Sequence, residues 1–160
     1  MRDTYRTYYH SDIGWLEVVG TKESILSVEF VEAPGSHEES AAEGAELPAV
    51  LRVCAQQLEE YFKGERQSFS LNLAPPGTPF QQEVWRALET IPYGETRSYA
   101  QMAQQIGRPK AYRAVGHANG QNKIAIILPC HRVVGHDGRL TGYGGGLWRK
   151  AWLLKHEQKG

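Results

Sequence analysis

Two helix-start signatures twenty residues apart, Thr78-Pro79-Phe80-Gln81 and Ser98-Tyr99-Ala100-Gln101, restrict the second half of this 160-residue chain more than any other feature. Each pairs a capping hydroxyl with a glutamine three residues on, so side chain and backbone satisfy each other's donors where a helix begins. Pro79 at the first helical position strengthens the earlier one. The helix it opens carries Phe80, Val84, Trp85 and Leu88 on one face and ends at Pro92-Tyr93-Gly94. The second helix runs through Ile106 and stops at Gly107; after Arg108-Pro109, a further short helix is predicted from about Lys110 to Asn119. Two short helices joined by a tight Gly-x-Pro turn are a helix-turn-helix signature. On this pattern alone, DNA binding and an ordinary helical hairpin are equally supported.

The first third follows a different period. Tyr5–Tyr9, Trp15–Val19 and Ile25–Phe30 are rich in β-formers, with turn residues at Ser11–Gly14 and Gly20–Glu23, which predicts an antiparallel meander. Residues 33–47, small, acidic and broken by Pro34-Gly35, are expected to form a mobile loop. Val50, Leu51, Val53, Cys54, Leu58, Tyr61 and Phe62 then make a helical stripe ending near Gly64, and residues 68–78 look like a crossing between subdomains. Further on, Ile124–Leu128 reads as a short strand bounded by Pro129, and a glycine-rich loop at 142–146 precedes a last helix from about Leu147 to His156. The expected class is α+β. A small N-terminal sheet-and-helix subdomain spans 1–74, and a mostly helical domain with the helix-turn-helix and a short cysteine-bearing strand spans 75–160.

Net charge is zero, but its distribution is lopsided: residues 1–75 carry six lysines and arginines against thirteen acids, and residues 76–160 carry twelve against five. Such a split fits a second half that faces a polyanion, and it fits equally two solvated surfaces of chance composition. The N-terminus lacks the apolar run of a secretory signal, and no apolar stretch approaches membrane-spanning length. A soluble cytoplasmic protein with no membrane partner is expected (nucleoid-associated in bacteria or archaea, nuclear in a eukaryote). The two cysteines, Cys54 and Cys130, are expected as free thiols, and no histidine has ligand spacing with either, so no metal and no cofactor is expected.

Cys130, beside His131 in a basic segment, is the candidate nucleophile, since the thiolate is the reactive form and cationic neighbours lower a thiol pKa. Taken alone, the pair is weak, because neighbouring side chains on a strand point apart and a buried structural cysteine fits as well.

The surroundings decide between these. Ile126-Ile127-Leu128-Pro129-Cys130-His131-Arg132-Val133-Val134 resembles the active-site motif of the O6-alkylguanine-DNA alkyltransferases. The resemblance extends through Thr78–Trp85, Ile91–Thr96, Ser98–Ala103, Gly107–Ala111, Arg113–Gly116, Asn122, Gly142-Tyr143, Gly145-Gly146, Lys150 and Trp152–Leu154. It covers nearly all of 78–157; residues 1–77 match in general layout only.

The resemblance implies direct repair of double-stranded DNA by a monomer. An alkyl group passes from O6-alkylguanine, and also from O4-alkylthymine, to Cys130 in one irreversible turnover after the base is flipped out. His131 would draw the thiol proton through a water, and Glu157 would orient the imidazole. Tyr99 would donate to a guanine ring nitrogen, and Asn122 would bridge the backbone around Cys130. Arg113 would enter the base stack, with Ala114 and Ala118 permitting close approach. Val133, Tyr143, Gly144 and Lys150 would line the pocket. Gly144 stands where the family often has serine, and His117 and Tyr112 also depart from it. The rival readings are a helix-turn-helix lesion sensor or regulator that does not react, and a cysteine hydrolase. Sensors of this family lack the cysteine that Cys130 supplies, and the hydrolase has no signature here.

Overall fold

The computed structural model describes residues 3–34 and 47–159 of the chain. It separates into two compact units, Met1–Pro76 and Gly77–Gly160. Most of the loop expected at 33–47 lies outside the described residues.

In the first unit, β1 (Tyr5–Ser11), β2 (Gly14–Gly20) and β3 (Ile25–Val31) form an antiparallel sheet in that order. The period-2 pattern sets the register: Leu16 faces Phe30 and Val18 faces Val28, so one side of the sheet is apolar. That side and α1 (Ala49–Phe62) share a core of Leu16, Val18, Ile25, Val28, Leu51, Leu58 and Tyr61, with Cys54 buried among them. Burial pushes the Cys54 thiol up to about 12, which makes it an inert core residue. Gly20 is required where β2 shifts register, because a Cβ there would lie 2.5 Å from the Ser24 carbonyl oxygen. The segment expected as a plain crossing does more: Asn72 accepts from Ile25 N and Ala74 N donates to Ile25 O, laying Leu73 alongside β3.

The second unit is built on the two predicted capping boxes, both closed as drawn from the sequence. Thr78 and Gln81 open α2 (Pro79–Leu88), and Ser98 and Gln101 open α3 (Tyr99–Gln105). Gly107, at φ +78°, ends α3: its N–H reaches Gln104 O while Arg108 N reaches Ala103 O, the paired bonds that satisfy a helix's last carbonyls. This turn leads into α4 (Tyr112–Gly120). The Trp85 indole, 1 % exposed, fixes α4 by donating to Ala118 O at 2.9 Å. A two-residue strand β4 (Arg97–Ser98) pairs in parallel with β5 (Val133–Val134), and α5 (Leu147–Lys159) closes the chain. No helix among the described residues is long and apolar enough to cross a membrane.

Candidate active site

The predicted strand at Ile124–Leu128 does not form. These residues run through successive turns: Ile127 N bonds back to Ala125 O at 2.7 Å around Ile126, whose φ is +70°, and Cys130 N bonds to Leu128 O around Pro129. A strand needs a neighbour to take its backbone groups, and here the side chain of Asn122 takes them instead. Its Oδ1 accepts from Ile124 N at 3.0 Å, and its amide nitrogen lies 3.1 Å from Ile124 O, 2.8 Å from Leu128 O and 3.2 Å from Cys130 Sγ. The cysteine therefore opens a 3-10 turn, Cys130–Arg132, and the short strand is the Val133–Val134 pair that follows.

Cys130 is 6 % exposed, and burial is the largest influence on its thiol, pushing it up; Asn122 and the Lys150 ammonium pull the other way. The lowering expected from basic surroundings is thus overridden by desolvation, and the resting group is a thiol. Asn119 of α4, also buried, reaches Cys130 O with its amide at 3.4 Å.

Beside the cysteine lies a buried charge cluster. His131 Nε2 is 2.7 Å from Glu157 Oε2, with both side chains fully buried. Burial pushes Glu157 up, but hydrogen bonds and charge from His131 and Arg132 outweigh it and hold the carboxyl well below the usual range. An ionised carboxylate can only accept, so Nε2 carries the hydrogen and Nδ1 keeps its lone pair. Nδ1 is buried with no hydrogen-bond partner among the described residues. Burial lowers the imidazole pKa, Glu157 opposes this, and Arg132 and Lys150 add to it. The imidazole is accordingly a neutral, oriented base with a free acceptor. Arg132 donates to both oxygens of Glu157 and to Ile91 O, and its guanidinium lies 5.7 Å from the Tyr93 ring centroid.

Of the residues expected around a pocket, Val133 is fully buried in β5, whose partner β4 leads directly into Tyr99. The phenol of Tyr99 lies 2.6 Å from Thr141 Oγ1. Lys150 is fully buried and donates to Thr141 O at 2.6 Å; burial lowers its pKa to about 8, with Cys130 opposing. The Tyr143 hydroxyl is buried with no hydrogen-bond partner among the described residues, and burial raises its pKa well above the ordinary value. Gly144 is exposed, with nothing near the position of a Cβ.

On α4, Tyr112, Arg113, Ala114 and His117 are exposed. Ala118 differs from the expectation: it is 2 % exposed, its carbonyl taken by Trp85, so its methyl packs inward and offers no surface for close approach. Arg132, Thr141 and Asn119 escaped the sequence reading. Arg132 stood inside the quoted motif, but only its burial shows that it must have a carboxylate partner.

Residues 79–159 match the family described as 6-O-methylguanine DNA methyltransferase, DNA binding domain, and residues 4–75 match its ribonuclease-like domain. A methylated-DNA–protein-cysteine methyltransferase of Methanosarcina barkeri is 49% identical over 96% of this chain and 97% of its own. The crystal structure of Mycobacterium tuberculosis O6-methylguanine methyltransferase superimposes with a TM-score of 0.85 at 45% identity, covering 98% of this chain and 94% of that one. The same enzyme in complex with DNA superimposes equally well, over 97% and 93%. With both units matched in order and a cysteine held beside a carboxylate-bound imidazole, this chain belongs to the 6-O-methylguanine DNA methyltransferase family.

Proposed function

We propose that this chain is a methylated-DNA–protein-cysteine methyltransferase that moves the alkyl group of O6-alkylguanine in DNA onto Cys130, once per molecule. One observation carries the assignment of the acceptor: Cys130 Sγ is held by Asn122 while the next side chain is a buried imidazole with one nitrogen on Glu157 and the other an unpaired acceptor.

The chemistry follows from that arrangement. His131 Nδ1 takes the thiol proton through a bridging water, and Asn122 and the Lys150 ammonium stabilise the thiolate. Sulfur attacks the alkyl carbon, the carbon–O6 bond breaks, and its electron pair passes into the purine. Tyr99 keeps its proton and hydrogen-bonds through it to a ring nitrogen to meet that charge, and the proton taken up by His131 passes through water to the departing guanine, which leaves neutral. The product is a thioether, which water does not hydrolyse, so the protein is consumed. O4-alkylthymine presents the same oxygen-linked carbon and is a second substrate.

A base inside a duplex offers no line of attack to a thiolate, so the nucleotide must be turned out at a cost of a few kcal/mol. The exposed end of α4 supplies the means: Arg113 enters the stack, and Ala114 lets the helix approach closely. Tyr143 and Gly144 cover the everted base, and Val133 lines its pocket. The protein works as a monomer in the compartment that holds the DNA.

The decisive experiment is mass spectrometry after mixing with a duplex containing O6-methylguanine. The peptide bearing Cys130 should gain one methylene group, and alkyl groups removed should never exceed molecules of protein. Cys130→Ala should bind the same duplex, with affinity that falls as salt rises, and gain no mass. A wild-type chain that binds but stays unmodified is a lesion sensor, and one that turns over repeatedly is a hydrolase.

A further inference from the structure

Thr141 takes part in two hydrogen bonds with groups of the proposed site. Its Oγ1 lies 2.6 Å from the Tyr99 hydroxyl, and its carbonyl accepts from Lys150 Nζ at 2.6 Å. Lys150 is fully buried and acts electrostatically on Cys130. Threonine is stiff at χ1 because it branches at Cβ, so a backbone fixed by an ammonium also fixes where the hydroxyl points.

A phenol has a single hydrogen. For Tyr99 to spend that hydrogen on a substrate nitrogen, its oxygen must be free to accept, and the donor within reach of that oxygen is the Thr141 hydroxyl. In a chain of two hydroxyls each bond polarises the next, so a phenol that accepts is also a better donor.

We infer that Thr141 is a positioning residue for alkyl transfer: its hydroxyl donates to Tyr99 when the lesion is bound, aiming the phenol hydrogen at the base, while Lys150 holds its backbone in place. No covalent bond of Thr141 changes, and its hydrogen stays on Oγ1 throughout. The inference rests on the reading of Tyr99 as the donor to guanine given under Proposed function.

The test is single-turnover kinetics on an O6-methylguanine duplex, which separates the saturating rate constant from the half-saturating concentration. Losing one hydrogen bond of ordinary strength predicts a rate constant lowered about five- to tenfold in Thr141→Val. The half-saturating concentration should be unchanged, because the pair acts on bond breaking. Thr141→Ser, which keeps the hydroxyl, should restore the rate to within about twofold. The double variant Thr141→Val/Tyr99→Phe should be no slower than Tyr99→Phe, since the hydroxyl acts only through the phenol. A merely structural role would give neither the serine rescue nor the lack of additivity. Wild-type rates in Thr141→Val, a serine variant as slow as valine, or losses that multiply in the double variant overturn the inference and leave the reading of Tyr99 standing. Tyr99→Phe at the full rate overturns both.

Discussion

Arg132 grips Glu157 through both carboxylate oxygens, Nε to Oε1 at 2.8 Å and Nη2 to Oε2 at 3.0 Å. His131 therefore shares this carboxylate with a guanidinium. Two consequences follow. The carboxylate stays ionised in a buried setting that would otherwise favour its acid form. The imidazole, although bonded to an anion, is kept neutral by burial and by the neighbouring guanidinium, which suits a base better than a resting ion pair would.

Arg132→Met should therefore do more than weaken the fold. Removing one partner of a buried pair costs about 3–5 kcal/mol, read as a lower urea midpoint. The imidazole, relieved of a positive neighbour, should protonate at higher pH. The acid limb of the transfer rate then moves upward, and the variant loses more activity at pH 6 than at pH 8. A variant with an unmoved acid limb would show that Arg132 serves stability alone.

Wild-type stability should fall as acidity increases, in two stages. His131 is held neutral when folded, its pKa lowered, so its contribution is complete above the unfolded value of about 6.5 and is lost as pH falls below it. Glu157 is also depressed; its contribution is complete above the unfolded value of about 4.3 and fades as pH falls towards the folded one. Urea unfolding between pH 7.5 and 2.5 measures this, and a flat profile would contradict the buried network.

Lys150 should mark the alkaline side. With its pKa lowered to about 8 by burial, it gives up its charge above that pH, and the Cys130 thiolate loses a supporting cation. The single-turnover rate should stop rising near that point. Lys150→Met should be slower below it and show no such break.

Arg113→Ala separates extrusion from chemistry. If the guanidinium offsets even part of a few kcal/mol of unstacking, repair of a duplex should slow by about tenfold or more, since 1.4 kcal/mol is a factor of ten. Reaction with free O6-benzylguanine, which needs no extrusion, should stay within about twofold of wild type. Equal losses on both substrates would remove Arg113 from that role.

What could be read from the sequence was mostly what is decided within a few residues. The boxes at Thr78 and Ser98 close over three residues, and the sheet register follows from alternation along β1 to β3, so both elements and their order were visible. Arg132 and Thr141 were not. Their partners lie 25 and 42 residues away, and neither residue type announces its burial. Ile124–Leu128 was misread for a related reason. Its β-branched residues favour extension, yet Asn122 offers the local backbone a competing set of hydrogen bonds that no count of propensities includes.

Ile124-Ala125-Ile126-Ile127-Leu128 is uncharged, apolar and free of proline until Pro129, the composition of segments that stack into intermolecular sheets. The clasp of Asn122 and the left-handed turn at Ile126 keep these residues folded back on themselves and Ile124, Ile126 and Leu128 out of water. A chain that loosens here releases five residues whose intrinsic preference is to pair edge to edge with another copy. Conditions that open this turn should therefore end in precipitation rather than in clean refolding.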